Sequence, residues 1–429
     1  MPESAPQRRT IGELANTNPE ALGVGADPRA HFKYVDLSSV TSGTVAWNSA
    51  PEVTLLTAPS RARRVLRRGD VLFGTVRPNL QSHGYVDWAG NSAPVGSTGF
   101  SVIRAKAGVS DPRYLFHCVM SSGVAAQAIR DAVGSSYPAL NDSDVRRFEV
   151  YAPPLGEQVA VAQVLDTLDT TIRQTEAIIE KLKHVKQGLL HDLLTRGIDA
   201  NGELRPPQSQ APHLYKDSPL GWIPREWRFG SIESFLDRII DYRGKTPTKT
   251  PSGIPLITAK NVRLGYIDPE PREFIGPDSF DRWMTRGIPK RGDVLFTTEA
   301  PLGNVAQVDS DEQLAFAQRM IILQLNEATV GTFLKFLMLG QQFRRRLFAM
   351  GSGSTVEGIQ QSTFRRLSIA VPESVAEQRE IVQRLASADS RVDCELTLLG
   401  KWQEAKSGLM DDLLTGRVRV TPLLEAATP

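Results

Sequence analysis

The chain is written twice, and this constrains its fold more than any other feature. Arg68-Gly69-Asp70-Val71-Leu72-Phe73 recurs as Arg291-Gly292-Asp293-Val294-Leu295-Phe296. Upstream, Tyr34 to Val40 matches Leu256 to Val262 in pattern. Downstream, Gly134-Ser135-Ser136 matches Gly353-Ser354-Thr355, and Ser143 to Pro153 matches Ser362 to Pro372. The offset drifts only from 223 to 219, as loop insertions and deletions in a duplicated domain would make it. Residues 157–195 align with 377–415 without a gap, and about a third of these positions are identical. Each Gly-Asp-Val-Leu-Phe segment reads as a turn feeding a buried strand: glycine supplies the turn geometry, aspartate bonds the turn backbone, and Val-Leu-Phe suits a sheet.

The gapless block is helical in both copies, with Pro153-Pro154 and Pro372 just before it. Val161, Leu165, Leu168, Ile172, Ile179, Leu182, Val185, Leu189 and Leu193 recur at three- and four-residue steps. Ile381, Leu385, Ala388, Val392, Leu399, Trp402, Ala405, Leu409 and Leu413 hold the same places in the second copy, and Thr175 and Glu395 interrupt the two series equivalently. Such a seam is of coiled-coil type, and each helix would be about 55–60 Å long. If the seams pack on each other about a pseudo-two-fold axis, the helices run antiparallel, with a domain at either end. That arrangement suits duplex DNA with two separated half-sites. Residues 198–217, with Pro206-Pro207 and Pro212, read as a linker.

The expected order is therefore a first recognition domain (1–153), a spacer helix (154–197), a linker (198–217), a second recognition domain (218–372), a second spacer helix (373–416) and a C-terminal tail (417–429). The fold class is α+β: two similar mixed α/β domains, each followed by a long helix, with the helices in an antiparallel coiled coil.

Composition bounds the chemistry. Hydrophobic residues at 41% and charged residues at 23% describe a folding chain of 429 residues, with a net charge of only +2, so local clusters must argue for nucleic acid. Two distant cysteines, Cys118 and Cys394, exclude a disulfide framework or a cysteine zinc site. No apolar run reaches membrane-spanning length and no apolar stretch follows Met1, so a cytoplasmic location without membrane contact is expected.

Catalytic signatures fail. Gly244-Lys245-Thr246 lacks the upstream glycine of a phosphate loop, since that position is Ile239. Gly23-Val24-Gly25 has no strand before it. The Asn/Asp-Pro-Pro-aromatic tetrad of an amino-methyltransferase is missing, which counts against a self-sufficient methyltransferase, and Ala152-Pro153-Pro154-Leu155 is a helix entry. His184 and His191 have no counterparts at Glu404 and Asp411 and read as surface residues. No catalytic and no metal-ligating residues are assigned.

Candidate DNA-binding residues lie in loops. Thr75, Arg77 and Asn79 follow the first repeated strand. Arg243, Lys245 and Thr246, with Lys260 and Asn261, lie in the second half. Ser135, Ser136 and Tyr137 form a matched pair of loops with Ser354 and Thr355. Arginine and lysine neutralise phosphates, while Arg, Asn, Ser and Thr also address base edges. The runs Arg61, Arg63, Arg64, Arg67, Arg68 and Arg344-Arg345-Arg346 fit either a solvated face or a phosphate track. On the helices, the candidate partner-binding residues are Leu165, Ile172, Leu182, Leu189, Leu193, Leu385, Val392, Trp402, Leu409 and Leu413.

Taken in order, these elements resemble the specificity (S) subunits of type I restriction-modification systems. The resemblance rests on the two Gly-Asp-Val-Leu-Phe strand entries, the Gly-Ser-Ser and Gly-Ser-Thr loops, the Pro-Pro-Leu-Gly-Glu157-Gln158 helix entry and the Leu189 to Thr195 helix end. Ser218-Pro-Leu-Gly-Trp-Ile-Pro224 and Arg243-Gly-Lys-Thr-Pro247 complete it, although the first half has Ala21 to Asp27 in place of these last two. It implies a non-catalytic subunit reading a bipartite, asymmetric double-stranded DNA target and docking two methyltransferase (M) subunits and motor-nuclease (R) subunits. S-adenosylmethionine and ATP with Mg are then expected on those partners, and no cofactor on this chain. The alternative reading is a coiled-coil scaffold whose end domains bind proteins.

Overall fold

A computed structural model describes residues 7–23, 25, 27–242, 246–351 and 358–420. The chain divides into two compact units, residues 1–177 with 396–429, and residues 178–395.

In the first unit, the repeated strand Val71–Gly74 lies inside a six-stranded sheet ordered Ala15–Thr17, Phe100–Ala105, Val71–Gly74, Gly84–Tyr85, Gly43–Val45, Val40–Thr41. A second, four-stranded sheet places His31–Val35 parallel to Val95–Ser97. The run Val71-Leu72-Phe73 is fully buried because the strand is covered on both faces. Val71 and Phe73 enter a core with Leu115, Val145 and Leu165, whereas Leu72 enters another with Val35, Val40 and Phe100. A strand buried on both sides reads as a continuous apolar run rather than an alternating one, and each such side chain contributes roughly 1.5–3 kcal/mol.

The second unit repeats this plan. Leu236–Asp241, Met320–Leu325, Val294–Thr297 and Val305–Gln307 form a sheet in that order, and Ile254–Ile257 runs parallel to Ala315–Phe316 in another. Val294 and Phe296 face one core and Leu295 the other. The Gly-Asp turn is closed identically in both units. Gly69 and Gly292 take φ of 93° and 98°, which glycine adopts without a Cβ penalty. Their N–H groups donate to Val86 and Val308 carbonyls, both at 2.8 Å. The aspartate carboxylates accept from the backbone N–H of Arg67 and Lys290, both at 2.8 Å.

The long helices span Leu155–Thr195 and Val375–Leu413. Each unit contains half of each helix, and within each unit the halves run antiparallel. In the first unit Asp169 pairs with Lys406 at 2.5 Å, and Val161 and Leu165 share a core with Leu413 and Leu414. In the second unit Lys186 pairs with Asp389, and Leu193 shares a core with Ile381 and Leu385. Thr175, which interrupts the apolar series, is buried with its hydroxyl donating to the Thr171 carbonyl at 2.9 Å, so the helix satisfies it internally. Val185 departs from the seam: it is 57% exposed.

Gln158 and Gln378 anchor the two helix starts. Both are buried, and their side-chain amides donate to the Pro153 and Pro372 carbonyls, each at 2.8 Å. Their carbonyl oxygens accept from the N–H of Asp111 and Val330, at 3.0 and 2.7 Å, fastening each helix to its domain. Glu377 takes two bonds from Arg205 of the proline-rich stretch, and further bonds from the Ile198 N–H and Trp227 Nε1. Residues 198–217 are thereby folded onto the second unit, because Arg205 answers a buried carboxylate and Ile198 and Tyr215 are buried.

Candidate nucleic-acid interface

In the first unit three loops come together: a short turn follows the parallel strand, a second loop follows the repeated strand, and a third precedes the last small helix, with the Arg77 N–H donating to the Pro138 carbonyl at 2.7 Å. Among the described residues the second unit repeats the first two. In the first unit the turn Leu37–Ser39 is closed by Asp36, whose carboxylate accepts from the Ser38 N–H at 3.0 Å. In the second, Asn261 closes the same turn. Its side-chain oxygen accepts from the Thr258 N–H at 3.0 Å and hydroxyl at 2.9 Å, and its amide donates to the carbonyls of Asp268 and Pro271. Asn261 is buried, so its side chain serves the loop frame, while its neighbour Lys260 is exposed.

Thr75 is also a frame residue. Its N–H and hydroxyl both donate to the Gly99 carbonyl at 2.9 Å, and its own carbonyl accepts from the Leu140 N–H at 2.9 Å. Beyond it Arg77 is exposed and held at φ 50°. Its guanidinium lies 4.2 Å from the centre of the exposed Tyr137 ring, joining two residues 60 positions apart that were selected separately from sequence. Asn79, Ser135 and Ser136 are exposed in the same pair of loops. Thr246 is exposed and accepts from Gln318 Nε2 at 3.1 Å. Arg243, Lys245, Ser354 and Thr355 lie outside the described residues.

The second-unit partner of the Thr75–Pro78 loop is Thr298–Pro301, which the sequence reading passed over. Extending the repeated strand at its own offset of 223 would have found it, since Thr75 and Pro78 fall on Thr298 and Pro301. Thr298 bonds the Arg319 carbonyl as Thr75 bonds that of Gly99, and Ile359 N–H donates to Thr298 at 2.9 Å.

The arginine runs are largely committed internally. Arg64 pairs with Asp142 at 3.1 Å, and Arg67 makes two 2.7 Å bonds to Glu20. Those bonds to Arg67, helped by Arg104 and opposed by burial, lower the Glu20 carboxyl to about 2. Arg344 donates to the Gly303 carbonyl at 2.9 Å. Among the described residues His117, Asp166 and Asp169 come close enough to share an ion. Cations of the chain already occupy that cluster: Arg113 makes a forked contact to Asp166, and Lys406 pairs with Asp169. Burial would raise Asp166, but its bonds from His117 and Arg113 prevail and hold it at about 2.

Of the helix residues selected as partner-binding, Leu165, Leu193, Leu385, Val392 and Leu413 are buried in packing within their own units. Ile172, Leu182, Leu189, Trp402 and Leu409 are half-buried. The exposed large apolar residues of the two helices, among the described residues, are instead Leu155, Val159, Ile178, Val185, Leu396 and Leu398, and Ile178 and Leu398 are repeat equivalents. Among the described residues no helix is long and apolar enough to cross a membrane.

A loop-bearing α+β domain followed by a long helix, present twice in one chain, defines the class of the protein. The type I restriction modification DNA specificity domain matches residues 39–184 and again 244–399, and the chain belongs to that family. It is similar to the type I restriction enzyme MjaVIII specificity subunit of Methanocaldococcus jannaschii, at 23% identity over 75% of this chain and 73% of that one. It is also similar to the type I restriction enzyme EcoKI specificity subunit of Escherichia coli, at 23% identity over 54% of this chain and 49% of that one. The HsdS subunit of Thermoanaerobacter tengcongensis has the same fold, with a TM-score of 0.52 and 24% identity over 97% of this chain and 99% of that one. So does the type I S subunit of M. genitalium, with a TM-score of 0.56 and 13% identity over 95% and 96%. As a specificity subunit the chain is the non-catalytic component of a restriction-modification system.

Proposed function

We propose that the two loop clusters read the two halves of a bipartite, asymmetric duplex target, the first within residues 1–153 and the second within 218–372. The observation that carries this reading is that one loop frame is built twice while the exposed side chains on it differ. Thr75 and Thr298 make the same backbone bonds, yet Arg77 is answered by Ala300. Constant frames position, and differing exposed groups specify.

The long helices set the spacer between half-sites by their length and dock two methyltransferase subunits, with Ile178 and Leu398 offering equivalent apolar contacts to the two copies. Motor-nuclease subunits complete the assembly. S-adenosylmethionine, ATP and Mg act on those partners, and none is held by this chain.

The test is to replace residues 1–153 with the matching region of a related subunit, co-express the full chain with its methyltransferase subunit, and map modified adenines. One half of the modified sequence should change while the other half stays. A change in both halves defeats the two-reader model, and a protein showing no salt-dependent, sequence-selective DNA shift with the methyltransferase subunit present would be a protein-binding scaffold instead.

A further inference from the structure

The second recognition face carries a charge pair that its own unit does not need. Arg319 and Glu299 stand with Nε and Oε1 3.7 Å apart, their side chains 56% and 46% exposed. That separation is an ion pair without a hydrogen bond, and an exposed pair of this kind contributes little to stability. The guanidinium fork and the second carboxylate oxygen are left uncommitted among the described residues.

The backbone around the pair is held with unusual care. Arg319 sits at φ 71° and Ala300, next to Glu299, at φ 46°. L side chains rarely adopt such values and keep them only where the surroundings impose them, as at binding sites. The backbone on both sides is bonded: the Thr298 N–H donates to the Arg319 carbonyl at 3.1 Å, and Glu299 is bridged to Gly358. Gln318, beside Arg319, is fixed to Thr246. In the first unit the same frame carries Val76, Arg77 and Gly99 where the second carries Glu299, Ala300 and Arg319. One arginine is therefore offered by each face, from different positions on one frame, and only the second has a carboxylate beside it.

We propose that Arg319 and Glu299 are the base-reading pair of the second face, taking the major-groove edge of a G·C base pair. The fork of an arginine matches guanine O6 and N7, and a carboxylate accepts from the cytosine amino group. Together they address both members of one pair, and an A·T pair lacks the adjacent O6 and N7 acceptors that the fork requires, its purine carrying an amino donor beside N7 instead. This inference rests on the two-reader function proposed above and names the chemistry of its second half-site.

The full chain, co-expressed with its methyltransferase subunit, tests it by mapping modified adenines and by gel shift on duplexes varied at each half-site position. Arg319→Gln should lower discrimination for guanine at one position of the second half-site by about 10- to 100-fold. That position should now accept adenine, since glutamine pairs with adenine N6 and N7. The first half-site and the melting temperature should stay unchanged. Unaltered preference at every position of the second half-site overturns the assignment. So does uniform weakening across all sequences, which would mark a phosphate contact. Should Arg319→Gln fail to fold, Glu299→Gln decides by the same readout: relaxed choice of the cytosine supports the pair, and an unchanged sequence overturns it. A wild-type complex that marks no two-part sequence overturns the recognition reading, and the pair with it.

Discussion

The two units solve one structural problem with different chemistry. Both bury an aspartate at the foot of the repeated strand, and both satisfy it first through the same turn N–H. The remaining carboxylate demand is met differently. In the first unit Arg104, on the neighbouring strand, makes two bonds to Asp70 at 2.7 and 2.8 Å and a third to Glu20 at 3.0 Å. In the second unit the equivalent residue is Gln324, whose amide donates to Asp293 at 2.8 Å while its oxygen accepts from Arg238 at 2.6 Å. The first unit uses a direct ion pair, and the second a neutral relay to a cation one residue further out. The backbone frame is common property, and the side chains that answer it have drifted in compensating sets.

The largest expected effect comes from exchanging these solutions. Arg104→Gln leaves Asp70 facing a neutral amide, because the strand residue paired with Arg104 is Asn16 and the remaining nearby guanidinium, that of Arg67, is exposed and bonded to Glu20. Removing one partner of a buried pair strands the other, and the expected loss is roughly 3 kcal/mol in the first unit. Gln324→Arg brings a full charge to Asp293 but crowds Arg238, so the expected change is within about 1 kcal/mol. Chemical denaturation of the two variants checks this. Equal losses in both would mean that the neighbouring sets do not compensate.

A smaller effect separates the two faces. Arg77→Ala removes the exposed guanidinium held against Tyr137, and the equivalent position in the second unit is already alanine. Binding should fall about tenfold, and only through the first half-site. Competition gel shifts with duplexes altered in either half measure it. A loss shared by both halves would place Arg77 on the phosphate backbone of the whole site.

Much of this plan was legible in the sequence because duplication exposes it. The repeat located the strand entries, the helices and their antiparallel pairing, since a seam of apolar residues at helical spacing has to be covered. The site was read less completely, and for a physical reason. Thr75 and Asn261 have the side chains of base readers, but both are buried, Thr75 making three hydrogen bonds to the surrounding backbone and the Asn261 side chain four within its own loop, and residue type does not reveal partners. Arg319 and Glu299 are separated by 19 intervening residues and meet only through the sheet. Val185 kept the helical spacing but lies on a face that its own unit leaves uncovered, which spacing alone does not show.

The smallest expected effect concerns how a buried carboxyl of the second unit holds its proton. Burial pushes the Asp293 carboxyl above its usual range, and the bonds from Lys290 and Gln324 act against that shift without cancelling it. A carboxyl raised on folding binds its proton more tightly in the native than in the unfolded chain. Its contribution is therefore fully present below the ordinary aspartate value near 4 and is lost as pH rises through the raised folded value. In that window the second unit should lose stability with a slope below about 1.4 kcal/mol per pH unit, the limit for one proton. Asp293→Asn holds the position neutral at every pH and should flatten the slope, while still offering an oxygen to the Lys290 N–H. Glu20 in the first unit acts in the opposite sense: held at about 2 by Arg67 and Arg104, it contributes above its ordinary value near 4.5 and is lost only as pH falls toward 2. Urea melts from pH 4 to 7 of the parent and the Asp293→Asn variant separate the two units. A slope that survives the substitution would mean that another buried acid carries it and that the neutral relay holds Asp293 as well as an arginine would.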